Sequence, residues 1–152
     1  MSRPVPTPLA VALVAAGLVP AVLALFAPEL VWAAAAVDVA VMALCVADAV
    51  MAPRADALQI RRDVADVLSS GIPNRVDLVL TPTRPLARRI SGELRDVPPV
   101  GVHPEGHRRP FTVAPGAAEV RVSYRVTPPT RGDLTWGDVY VRFRGPLGLC
   151  AR

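Results

Sequence analysis

The chain changes its hydrophobic pattern near residue 53. Residues 4–28 carry no charge, and residues 30–52 are apolar apart from Asp38 and Asp48. A helix of about 20 apolar residues crosses the roughly 30 Å hydrocarbon layer of a bilayer, so stretches of about 8–27 and 30–52 predict two spans. Their link, Ala27-Pro28-Glu29, permits only a tight hairpin. Gly17 and Pro20 loosen the first helix, which a neighbouring helix can compensate.

Beyond Pro53 the period becomes two. Leu58 and Ile60 alternate with Gln59 and Arg61. Val76, Leu78 and Leu80 then alternate with Arg75, Asp77 and Val79. Leu86, Arg88, Ile90 and Gly92 share one parity of a third run. Phe111 and Val113 form a short run. Val120, Val122, Tyr124 and Val126 stand against Glu119, Arg121, Ser123 and Arg125, and Val139, Val141 and Phe143 against Tyr140, Arg142 and Arg144. Six or seven short alternating strands separated by Gly and Pro predict an antiparallel β-sandwich, immunoglobulin-like in class. The expected organisation is a transmembrane helical hairpin over residues 1–53 and an all-β domain over 54–152. The segment from Pro98 to Pro110, rich in Pro, Gly and His, reads as a long loop.

Charge sets the expected orientation. All 17 basic residues are arginines; 16 of them, against 10 acidic residues, lie from Arg54 onward. Arg3 flanks the first span, Arg54, Arg61 and Arg62 flank the second, and the link holds no cation. The positive-inside rule then places both termini and the β domain in the cytoplasm of a multi-pass cell-membrane protein, with Trp32 near the opposite interface. A cleaved signal peptide fits less well, because cleavage near Ala33–Ala36 would truncate the second apolar run.

A carboxylate near the bilayer centre costs about 2.5–3.5 kcal/mol. Asp38 and Asp48 lie about 80° apart around a helix, on one broad face. Neither span holds a basic residue to pair with them. Asp38 is the candidate for an intramembrane contact: association with another helix, including that of a second copy, or a proton or ion path. Asp48 reads as a protonated or water-solvated carboxyl turned toward the partner helix.

Candidate chemistry is sparse. No phosphate-binding glycine loop, nucleophile elbow or Ser–His–acid grouping stands out, so the chain reads as non-enzymatic and without a cofactor. His103 and His107 flank Glu105 in H-P-E-G-H, but Pro104 and Gly106 make that a loop and not a metal-binding helix. Arginine pairs without interleaved aromatic residues argue against nucleic acid. Cys45 and Cys150 make no disulfide framework. His103, His107, Arg108 and Arg109 therefore mark a candidate docking loop and nothing catalytic.

The C-terminal stretch Y-R-V-T-P-P-T-R-G-D-L-T-W-G-D-V-Y-V-R-F-R-G-P-L-G-L, residues 124–149, resembles the bacterial membrane proteins grouped as domain-of-unknown-function family 58. S-S-G-I-P-N-R-V-D-L-V-L and L-R-D-V-P-P, with the two N-terminal apolar segments, are similar to further parts of that family. The resemblance runs along essentially the whole chain, but the chain stops where that family continues into a von Willebrand factor A-like region. That reads as a truncation or a short member. The resemblance implies a membrane-anchored β-sandwich scaffold, with the bilayer, von Willebrand factor A-domain proteins and a MoxR-type AAA+ ATPase as partners in assembly or chaperone-like work. The alternative is a subunit of a transport or envelope-biogenesis complex in which Asp38 has an intramembrane role.

Overall fold

Thr7 and Pro8 start the first helix as local chemistry dictates: Thr7 is extended and caps the Ala10 N–H, and Pro8 sits where a helix does not need its N–H. A computed structural model describes residues 4–152; Arg3, one of the orienting cations, lies outside the described residues. In chain order the elements are β1 (Val5–Pro6), α1 (Pro8–Leu23), α2 (Val31–Met51), β2 (Leu58–Val64), β3 (Asn74–Pro82), β4 (Ile90–Asp96), β5 (His103–Glu105), β6 (Arg108–Val113), β7 (Val120–Thr127), β8 (Val139–Arg144) and β9 (Cys150–Ala151). They fall into two compact units. The first runs to Pro53 and includes Phe143–Arg152; the second is Arg54–Arg142. The last ten residues group with the helices and not with residues 54–142.

In the first unit one of the two expected spans reaches the length of a membrane crossing. Helix α1 has 16 residues, about 24 Å at 1.5 Å each, short of the hydrocarbon thickness. It stops because Leu25 and Phe26 fold back onto Val22 and Leu23, and because Ala27, preceding Pro28, is extended. A short turn, Pro28–Leu30, leads into α2, and the resulting 24-residue helix is the one among the described residues long and apolar enough to cross a membrane. Helices α1 and α2 pack together through small residues, with Ala10, Gly17 and Ala34 buried. Most of the other apolar side chains stay exposed, as Leu18 at 62%, Trp32 at 81% and Val50 at 78% show. The long apolar segment is almost wholly exposed, unlike the mostly buried core helix of a soluble domain.

The second unit is built from two sheets. One has the order β2-β3-β7-β5, with antiparallel pairing in the registers Ile60↔Leu80, Leu78↔Val122 and Pro104↔Val126. In the other, β4 lies between β6 and β8, with Ile90↔Val113 antiparallel. Inward positions form the core: Val76, Leu78 and Leu80 of β3, Ile90 and Leu94 of β4, Phe111 and Val113 of β6, and Tyr124 and Val126 of β7. Arg121, Ser123 and Arg125 are exposed, as the alternation requires. A side chain at Gly92 would collide with the Arg142 carbonyl and stand 2.8 Å from the Phe111 ring, so glycine permits the close approach there. The third run begins later than its apolar parity suggests, because Leu86 and Arg88 lie outside β4.

The expected loop at 98–110 is also corrected, since it holds β5 and the start of β6. Proline is tolerated in β5 because that strand forms the sheet's edge and pairs on one side only. Gly106, at φ 75°, then turns the chain from one sheet to the other.

Candidate functional site

The last ten residues build a turn whose backbone N–H groups converge on one of the chain's own carboxyl side chains. Phe143 and Arg152 exchange two backbone hydrogen bonds of 2.8 Å, Gly145 N–H donates to Cys150 C=O, and Gly148 N–H to Gly145 C=O. Gly148 takes a φ of 73°, which only glycine adopts without strain. P-L-G-L is therefore the turn of a closed hairpin, and β9 of that hairpin pairs with β1. Thr7 ties the turn further: its N–H donates to Leu149 C=O at 2.9 Å and its hydroxyl to Gly148 C=O at 2.6 Å.

This turn aims three N–H groups at one point, and Asp48 fills it. Leu147 N–H donates to Asp48 Oδ1, and Leu149 and Cys150 N–H both donate to Oδ2, each at 2.7 Å. Asp48 is fully buried. Converging backbone N–H groups form the kind of concavity that binds anions elsewhere. Gly145 completes the seat, because a Cβ there would overlap the Asp48 carboxylate. The expectation of a water-solvated Asp48 turned toward the partner helix is thus corrected: it is buried and accepts from the C-terminal turn. Cys150 packs beside it with its thiol 3.4 Å from the Cys45 carbonyl oxygen, and burial pushes that thiol's pKa up, which makes it a poor nucleophile.

In the second unit another buried carboxylate plays the corresponding role. Asp96, at the end of β4, is gripped on both oxygens by the Arg62 guanidinium and accepts the Tyr124 hydroxyl at 2.6 Å. Arg62 also donates to Gly137 C=O at 2.8 Å and lies 4.7 Å from the Trp136 ring centroid. Strands β2, β4 and β7 are thereby tied across the two sheets. Burial, and then the bond to Asp96, raise the Tyr124 pKa well above that of a free phenol. Breaking a buried, hydrogen-bonded ion pair costs about 3–5 kcal/mol, so the cluster is a brace. It holds no nucleophile beside a base.

The candidate residues proposed from sequence are scattered. Asp38 is exposed on α2, and its Oδ1 stands 2.8 Å from where a Cβ on Gly17 would be. His103 lies on β5 opposite Thr127. The His107 carbonyl accepts the Asp96 N–H at 3.0 Å. Arg108 stands opposite Arg95, while Arg109 lies over Gly106. No group of three or more His, Cys, Asp or Glu among the described residues is placed to hold a metal ion. No protein-family model matches the chain, and no curated protein matches it.

Proposed function

We propose that the chain is a membrane-anchored interaction module, a scaffold whose second helix is the anchor and whose β unit, immunoglobulin-like in class, is the docking body. The observation that carries this reading is the 24-residue apolar helix, whose side chains are almost all uncovered. At about 25 cal/mol per Å² of apolar surface, so much uncovered area calls for a lipid or protein cover. The motifs resembling domain-of-unknown-function family 58 support the same reading. They suggest a MoxR-type AAA+ ATPase as partner in assembly or chaperone-like work, beside von Willebrand factor A-domain proteins. The arginine-rich flank after Pro53 favours a cytoplasmic β unit, with α1 completing the hairpin in the membrane.

The docking surface proposed is the segment 98–110, with His103, Arg108 and Arg109 exposed and His107 half-buried. Replacing Arg108 and Arg109 by Ser reduces capture of a neighbouring MoxR-type ATPase in a pull-down, with an unchanged melting temperature. Full capture by the folded variant removes this surface from the account. Exposed Asp38 favours a second reading, in which α2 associates in the membrane with a helix of a transport or envelope-biogenesis complex or of a second copy.

A further inference from the structure

Three guanidinium groups of the β unit line one cavity. Register places Arg75 of β3 directly opposite Arg125 of β7, and Arg125 opposite Glu105 of β5. Two like charges side by side on a sheet repel unless something neutralises them. Arg75 is partly satisfied, by Asp77 at 2.7 Å and by Ser123 Oγ at 3.0 Å, and this contact holds the Asp77 carboxyl below its usual pKa. Arg125 makes no ion pair among the described residues. Arg109 arrives from β6, its guanidinium lying across Gly106 with Nη2, Cζ and Nε at 2.6–2.9 Å from the position a Cβ would take. Any other residue at 106 would push that group away.

Arg75, Arg109, Arg125 and Ser123 thus surround a cavity of about 480 Å³ in which Glu105 is the only lining acid. That volume lies within the roughly 300–1,000 Å³ of small-ligand sites. Planar guanidinium forks match the oxygens of phosphate, and the lining carries two positive charges in excess. We infer that this cavity is a binding site for a phosphate-type dianion, free or carried on a ligand. It overlaps the docking segment at Glu105, Gly106 and Arg109, but does not rest on the docking reading, and its test needs no ATPase.

The test is calorimetric titration of the full chain in neutral detergent micelles with inorganic phosphate, phosphoserine and serine. Saturable one-to-one binding of phosphate or phosphoserine, but not serine, supports the site; which of the two binds tighter tells whether the dianion is free or ligand-borne. Arg125→Gln and Arg109→Gln should each weaken binding roughly tenfold, as loss of a charge-assisted contact does. Glu105→Gln should tighten it, which no unfolding effect could mimic, and Arg84→Gln, outside the cavity, should change nothing. Absence of binding by both phosphate compounds overturns the inference. So does equal weakening by Arg84→Gln and Arg125→Gln, the signature of diffuse attraction to a basic surface.

Discussion

Replacing Asp48 by alanine removes the acceptor for three backbone N–H groups at once. Leu147 is exposed and its amide can turn to water, but Leu149 and Cys150 are buried and theirs cannot. An orphaned buried donor costs about 1–3 kcal/mol, so two of them cost about 2–6 kcal/mol. Taking about 3 kcal/mol, the hairpin's opening equilibrium rises by about two decades, at 1.4 kcal/mol per tenfold. The assay is amide hydrogen exchange of the full chain in micelles, read at residues 147, 149 and 150. Asp48→Asn, which keeps one oxygen but turns an NH2 toward a donor, should show a smaller acceleration at the same amides. Asp38→Asn makes the same charge change without touching the turn and should leave them unaltered. Exchange in Asp48→Ala within about threefold of the unsubstituted chain, or an equal response to Asp38→Asn, would refute the reasoning.

Gly145→Ala should reproduce the Asp48→Ala exchange pattern while leaving every acceptor in place, because the added methyl displaces the carboxylate; normal protection of amides 149 and 150 would show that the seat is looser than described. The Tyr124 phenol, with a folded pKa raised above the free value of 10.0, gives stability that is complete below pH 10 and lost as pH rises further. In a Tyr140→Phe chain, where Tyr124 is the one remaining tyrosine, phenolate absorbance should appear only together with loss of the β circular-dichroism signal. Phenolate forming near pH 10 in a folded chain would contradict the brace.

Much of the β unit was legible because alternation is a local signal: Tyr124 and Val126 are buried where the parity of their strand places them. Strand β5 was not, since Pro104 and Gly106 read as breakers and only a sheet edge tolerates them. The first span was overestimated because apolarity continues through residues 24–27, whereas the helix ends at Leu23 and Pro28 forces Ala27 to be extended. Asp48 was misread for a physical reason, as its partners lie 99 to 102 residues away in sequence. The available signal was a costly carboxylate near a helix end together with a glycine-rich turn whose N–H groups needed an acceptor. Several motifs behind the family resemblance turn out to hold backbone in place. Asn74 bonds Ser69 twice to close the turn before β3, Asp96 of L-R-D-V-P-P anchors the brace, and P-L-G-L forms the nest for Asp48.

The account depends most on the membrane anchor and on the side of the membrane that the β unit occupies. The direct measurement is cysteine labelling in intact cells with an impermeant thiol reagent, on a background with Cys45 and Cys150 replaced by Ala. Single reporters at Glu29→Cys and His103→Cys are compared before and after lysis. The proposal predicts labelling of position 29 in intact cells, and of position 103 only once the cells are opened. Labelling of position 103 but not 29 in intact cells would contradict the orientation, and recovery of the whole chain in the soluble fraction after lysis would contradict the anchor itself.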